Sequence, residues 1–138
     1  ALHLGFAHEK PPSQELHALA SDGLLDPAIT FFSARRDGAL LSVGALKELA
    51  PHHGELKSMH TTAEARRQGL GRAMVEHLLG VAHQRDYRQV SLETGTMDAF
   101  GPARSLYESF GFTPCGPFGD YPPSPSSAFM TLTLTSGR

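Results

Sequence analysis

The stretch Arg66-Arg67-Gln68-Gly69-Leu70-Gly71-Arg72-Ala73 gathers the residue types best suited to bind an anion. Gly69 and Gly71, one residue apart, let a backbone turn tightly and approach a ligand without Cβ interference. An apolar helical pattern begins at Leu70. The first turn of a helix directs unpaired N–H groups outward, and its dipole favours negative charge there. Arg66, Arg67 and Arg72 add positive charge at the same place, so phosphate is the natural ligand. The Walker pattern, which needs Gly-Lys-Ser/Thr after four spacer residues, is absent. The third glycine of a dinucleotide loop would fall at Met74. Taken alone, the octapeptide reads equally well as a loop glycine and a helix cap.

Other reactive side chains are less organised. His52 and His53 are adjacent, so their side chains diverge, and His77 and His83 do not share a helix face. With no His-x-x-x-His among the eight histidines, they read as structural or surface groups, and no metal is expected. Cys115, the single cysteine, excludes an internal disulfide and a zinc finger. It would need a nearby base and an electropositive setting to act as a nucleophile.

The elements that must position these groups are legible from periodicity. Ile29 to Ala34 alternates as a strand, Asp37-Gly38 is a hairpin turn, and Leu40 to Leu46 is the antiparallel return. Pro51 to Gly54 is expected to turn the chain. Glu55 to His60 then makes a third strand with Glu55, Lys57 and Met59 on one face. Leu70, Met74, His77, Leu78 and Val81 form one helical stripe over about 70–85. Asp86 to Arg88 turns into a strand at Val90 to Thr94, which must run parallel to the third. Pro102 suits the first turn of a helix, Ala103, Leu106, Tyr107 and Phe110 give its stripe, and Gly111 is placed to end it. A short strand near 112–115, a proline-rich loop over 114–125 and a final strand over 128–134 complete the pattern. Residues 13–25 could hold one short helix.

At 138 residues, the chain is expected to be one domain spanning 1–138. Twelve basic against fourteen acidic residues, net −2, argue against nucleic acid as a partner. No apolar run reaches the ~18 residues of a membrane span. The start lacks a basic n-region and a long apolar stretch, which makes the cytoplasm the default expectation.

Two motifs together resemble the GNAT (Gcn5-related N-acetyltransferase) family. Arg66-x-x-Gly69-x-Gly71-Arg72-Ala73 resembles its pyrophosphate loop. Ala103-Arg104-Ser105-Leu106-Tyr107-Glu108-Ser109-Phe110-Gly111-Phe112 resembles its Ala-x-x-Leu-Tyr-Glu-x-x-Gly-Phe segment. The spacing between them fits, and the resemblance covers roughly 28–135. Gly95 to Asp98 and the segment Cys115 to Tyr121 look like those of a small bacterial subgroup. The resemblance implies an α/β fold: a mixed, mostly antiparallel twisted sheet with a splayed central strand pair and flanking helices. The family's opening strand would be absent, truncated or supplied by Leu2 to Phe6.

It also implies an acetyl-CoA-dependent N-acetyltransferase acting on a primary amine of a small molecule by direct attack in a ternary complex. Arg66 and residues Gln68, Gly69, Leu70, Gly71, Arg72 and Ala73 would hold the pyrophosphate. Met59, His60 and Thr61 would meet the pantetheine arm and acetyl group through backbone atoms. Tyr107 matches the acid that protonates the CoA sulfur. Glu55 is the foremost base candidate, Glu93 the next, and a water chain a third. Glu93, Asp120 and Tyr121 are candidate acceptor contacts. A CoA-binding sensor domain without catalysis and a protein or peptide acetyltransferase are the alternatives. A homodimer through the final strands is common among similar proteins. Two departures stand out: Phe100 occupies a position commonly Asn near CoA, and Ala63 one that is often Pro.

Overall fold

Alternation and turn chemistry put seven strands into one sheet, ordered β1-β2-β3-β4-β5-β7-β6. The protein is described by a computed structural model over residues 5–9, 27–66 and 69–134. The helix expected over 13–25 lies outside the described residues. β1 (Gly5–Glu9) pairs antiparallel with β2 (Ile29–Arg36), so an opening strand is present, shifted beyond Leu2 to Phe6. Asp37 (φ 51°) and Gly38 (φ 83°) turn β2 into β3 (Ala39–Ala50), both in the left-handed region that a two-residue hairpin demands.

The next turn is tighter than expected. It uses only Pro51 and His52, and β4 runs His53–Thr61. Gly54 belongs to the strand rather than the turn. The Tyr87 ring occupies its open side, and a Cβ there would lie 2.6 Å from Tyr87 Cε2. Then follow α1 (Ala63–Arg66), α2 (Leu70–Gln84), β5 (Gln89–Gly95), a 3-10 turn at Asp98–Phe100, α3 (Gly101–Ser109), β6 (Thr113–Cys115) and β7 (Ser127–Thr133). α3 ends as its glycine suggests. Gly111 has φ 102°, its N–H reaches Glu108 O, and the Phe112 N–H reaches Tyr107 O.

The main core joins one sheet face to the helices, through Leu46, Leu56, Met74, Leu78, Leu92 and Met130. Gly44 lets α2 settle on β3. A Cβ there would lie 2.8–2.9 Å from side-chain atoms of Leu78, Met59 and Met74. The opposite face carries Phe31, Val43 and Ala45 on β2–β3. At its other end Phe118, Tyr121 and Phe129 pack with ring centroids 5.3–5.7 Å apart.

Two irregularities of β4 shape the rest. The β3–β4 register shifts between Val43↔His60 and Ala45↔Lys57, so two β4 residues oppose Gly44. This bulge breaks the two-residue alternation. Met59 therefore packs with the helix-side core, whereas Glu55 and Lys57 lie on the other face; the expectation that all three share a face fails. Second, β4 and β5 pair in parallel only from His53↔Gln89 to Leu56↔Leu92. Beyond that point the strands part, and β5 continues with β7 alone.

Candidate active site

A cleft of about 590 Å³ opens on the helix side where β4 and β5 part. Met59, His60 and Thr61 form one bank, Gly69, Gly71 and Arg72 its head, and Ala99, Pro102, Ala103, Leu106 and Tyr107 the other bank. Ser42 secures the first bank, because its hydroxyl meets His60 O at 3.1 Å and Thr61 Oγ1 at 3.0 Å. Arg104 secures the opposite bank by donating to Gly95 O at 2.6 Å and Met97 O at 3.1 Å. The sequence motifs thus converge, and Pro102, Ala103 and Leu106 of α3 are lining residues that the sequence pattern marks only as a first-turn proline and two members of an apolar stripe.

At the head, Gly69 caps α2 with φ 75° and ψ 20°, a conformation that favours glycine. Its carbonyl accepts the Ala73 N–H at 3.1 Å, which leaves the N–H groups of residues 70–72 outside the helical ladder. Gly71 differs from expectation. A Cβ there would meet Leu106 Cδ2 and Thr61 Oγ1 at an ordinary 3.7 Å, so a methyl group fits. Leu70 is buried, so its side chain belongs to the core. Arg72 crosses to α3, donating to Ser109 Oγ at 2.6 Å with its guanidinium 4.7 Å from the Phe110 ring centre. Gln68 and the side chain of Arg66 lie outside the described residues. These features fit a bound pyrophosphate: donors at a helix N-terminus, one nearby cation and no bulky side chain at Gly69 or Gly71.

Tyr107 belongs both to the core and to the cleft wall, 7% exposed. Its ring packs edge-on to Phe112 at 5.8 Å. Burial penalises the phenolate and pushes its pKa up to about 12.

Glu55 does not line this cleft. It lies on the other face, in a second cavity of about 240 Å³ with Lys47, Leu49, Lys57, Gly119, Asp120 and Tyr121. Its carboxylate is buried and accepts the Tyr121 hydroxyl at 2.6 Å. Lys57 Nζ lies 3.7 Å from Glu55 Oε2 and donates to Tyr121 Oη at 3.2 Å. Beside them, His53 meets Ser91 Oγ at 2.7 Å; burial lowers its pKa, with the Glu55 charge opposing. Glu93 shares this face one pleat past Ser91 and accepts from Ser127 Oγ at 2.7 Å, but lines neither cavity. Sequence reasoning missed Lys47. The signal was its position directly opposite Glu55 in the β3–β4 ladder, which requires the register to be known. Burial raises the Cys115 thiol pKa, which disfavours the thiolate needed for nucleophilic attack. No cluster of three His, Cys, Asp or Glu suited to a metal occurs among the described residues.

The sequence matches the family model for acetyltransferases of the GNAT type over residues 3–112. The chain belongs to the GNAT acetyltransferase family. An uncharacterized N-acetyltransferase of Bacillus subtilis, YsnE, is 49% identical over 89% of this chain and 82% of its own length. A Klebsiella pneumoniae protein crystallised as a candidate acyl-CoA N-acyltransferase superposes with a TM-score of 0.87 at 26% identity, covering 96% of this chain and 98% of that one. A GNAT acetyltransferase of Elizabethkingia anophelis, solved with acetyl-CoA bound, superposes with a TM-score of 0.77 at 16% identity, covering 95% and 98%. This GNAT chain is thus an acyltransferase with the family's mixed, mostly antiparallel sheet, and its parted β4–β5 pair lies between the two cavities.

Proposed function

We propose that this acetyltransferase transfers the acetyl group of acetyl-CoA to the primary amine of a small molecule, as a single cytoplasmic domain. The observation that carries the reading is the gap beyond Leu56↔Leu92, with a glycine-headed cleft and Tyr107 on one face and the Glu55 cavity on the other. In this reading the α2 N-terminus, Gly69 to Ala73, and Arg72 hold the pyrophosphate. The unladdered edge of β4 at Met59 to Thr61 receives the pantetheine arm. Bound acetyl-CoA supplies the thioester carbonyl that the amine attacks.

The residues of the chain then divide the proton work. Glu55 takes the proton of the acceptor ammonium through the Tyr121 hydroxyl, which passes its own proton to Glu55 Oε2 as it receives one. Lys57, donating to Tyr121 Oη, favours that oxygen when it carries negative charge. Tyr107, held protonated by burial, gives its proton to the departing CoA sulfur. Each positioned proton transfer contributes about 10²–10⁴-fold.

The test has two stages. Acetyl-CoA and CoA, but not NADH, are expected to raise the melting temperature. Ligand at 100 times its dissociation constant stabilises by about 2.7 kcal/mol, a shift of several degrees for a domain of this size. Thiol release with a panel of small amines is then expected to fall at least a hundredfold in Glu55→Gln. No shift with any of the three ligands would remove the cofactor assignment. A shift without turnover of any amine would leave a CoA-binding module, and turnover only with lysine peptides would make the acceptor a protein.

A further inference from the structure

Among the described residues, the large apolar side chains left in solvent are Met97, 62% exposed, and Phe100, 41% exposed. Both belong to the turn between β5 and α3. That turn is tied down at several points. Arg104 holds Gly95 O and Met97 O, Thr96 Oγ1 donates to Pro125 O at 2.9 Å, and the Phe100 N–H reaches Met97 O at 2.9 Å. The Phe100 ring fills the space over Gly95, where a Cβ would lie 2.3 Å from Phe100 Cδ2. Strand pairing tells which side of the sheet this is. Gly95 stands opposite Ser127, and the Ser127 hydroxyl reaches Glu93 Oε2 on the face that Glu93 shares with Glu55. Phe100 therefore reaches over the end of β5 onto the Glu55 side, whereas its neighbour Ala99 lines the cleft on the helix side.

We infer that the acceptor is a primary amine with an apolar substituent, aromatic or branched aliphatic, that packs on the exposed face of Phe100. The amine half of this inference rests on the acetyl-transfer reading, whereas the apolar half does not. β4 and β5 part beyond Leu56↔Leu92, so Glu93 is the first β5 residue beside the gap, and Gly95 under Phe100 is the next on that face. Strand residues advance about 3.3 Å each, which sets Gly95 roughly 7 Å beyond Glu93. That is the scale of a short carbon chain between an amine and an apolar group. At the near end, Glu93 offers a carboxylate to the ammonium before Glu55 takes its proton through Tyr121. Lys57, across the gap on β4, is engaged by Tyr121 and Glu55. At the far end the ring offers no hydrogen-bond partner. The hydroxyl groups of an aminoglycoside would lose hydration there without replacement. A polyamine would gain only the weak cation–π attraction of an exposed ring. A tenfold preference corresponds to about 1.4 kcal/mol. Burial of roughly 55 Å² of apolar surface supplies it at about 25 cal/mol per Å², which part of one aromatic ring provides.

The experiment separates the two halves. Thiol release from acetyl-CoA is measured with phenethylamine, isopentylamine, ethanolamine and putrescine. Calorimetry follows binding of the same four amines to the protein saturated with CoA. The expected result is a kcat/KM at least tenfold higher for the better apolar amine than for ethanolamine or putrescine, with the same order in affinity. Phe100→Ser is expected to cut that ratio below threefold, whereas Phe100→Leu, which keeps an apolar surface, retains most of it. Both variants should bind acetyl-CoA within threefold of the parent. Ethanolamine or putrescine used as well as the apolar amines would overturn the inference and leave acetyl transfer intact. So would a Phe100→Ser variant that keeps the apolar preference, or one that melts as the parent does yet loses acetyl-CoA affinity tenfold, since the ring would then serve the cofactor. Apolar amines that bind in preference and lose it in Phe100→Ser, with no amine acetylated, would uphold the apolar subsite and overturn the acetyl-transfer reading. Neither binding nor turnover of any of the four would overturn both.

Discussion

The hydroxyl of Tyr121 donates to Glu55 Oε2 at 2.6 Å, joining a loop residue to a strand residue 66 positions away. The loop reaches the strand because Phe118, Tyr121 and Phe129 form an aromatic cluster on that sheet face. The cluster fixes the Tyr121 ring, and Lys57 holds its oxygen from the other side. The carboxylate is consequently buried with its hydrogen bond satisfied, the condition under which burying a charge is tolerable.

Tyr121→Phe separates the hydroxyl from the ring. The aromatic packing survives, so the loss is confined to one hydrogen bond to a charged group, about 1.5–3 kcal/mol, and the melting temperature is expected to fall by several degrees. Turnover is expected to fall at least tenfold in the thiol-release assay. Turnover equal to the parent would mean that the amine proton does not pass through Tyr121.

The local features of this fold were legible, and the long-range ones were not. Asp37-Gly38 and Gly111 announce their turns because positive φ selects glycine and its few substitutes, and each has it. The Gly69 loop is likewise a property of contiguous residues. Met59 was placed on the wrong face because the bulge opposite Gly44 is set by pairing with β3, not by the β4 sequence. Gly54 read as a turn because the Tyr87 ring that requires a small residue there comes from a distant segment. Glu55 and Tyr107 were read as one constellation; the structure places them in separate cavities on opposite sheet faces. Only three-dimensional register reveals Lys47 beside Glu55.

Tyr107 is the second proton donor to test. Its pKa, pushed up to about 12 by burial, keeps it protonated throughout the neutral and mildly alkaline range. Turnover should show no alkaline fall from this group between pH 7 and 10. Tyr107→Phe keeps the ring against Phe112 and is expected to lower kcat about a hundredfold, with the calorimetric affinity for acetyl-CoA within threefold of the parent. The same shift has a stability consequence. The folded pKa exceeds the unfolded value of 10.0, so the contribution is full below pH 10 and is lost as pH rises toward 12. Chemical denaturation should therefore show the parent losing more stability than Tyr107→Phe over that window. An unchanged kcat in the variant would make Tyr107 a packing residue only.

His77 tests the core under α2. Its ring stacks on Phe6 at 4.5 Å and meets Phe32 edge-on at 5.0 Å, with no hydrogen-bond partner for Nε2 among the described residues. Burial lowers its pKa below 6.5. A depressed histidine contributes stability that is present above the unfolded pKa and is lost as pH falls below it. The denaturation midpoint should thus decline from pH 7.5 to pH 5, and His77→Leu should flatten that decline while retaining the apolar contact. A slope identical in parent and variant would show that His77 is not a source of acid sensitivity.

The two loop glycines should respond differently to the same change. Gly69→Ala forces a Cβ into φ 75°, which costs about 1–2 kcal/mol, and a lower melting temperature without ligand is the readout. Gly71 has ordinary space for a methyl group, so Gly71→Ala should melt within a degree or two of the parent. Its larger substitution is the informative one. Gly71→Glu places a carboxylate at the head of the cleft, beside the helix N–H groups proposed to hold the pyrophosphate. Competition for those donors and repulsion of the incoming anion should weaken acetyl-CoA at least a hundredfold by calorimetry, with the fold preserved. Full affinity in Gly71→Glu would show that the pyrophosphate binds elsewhere and would leave Gly69 as a helix cap.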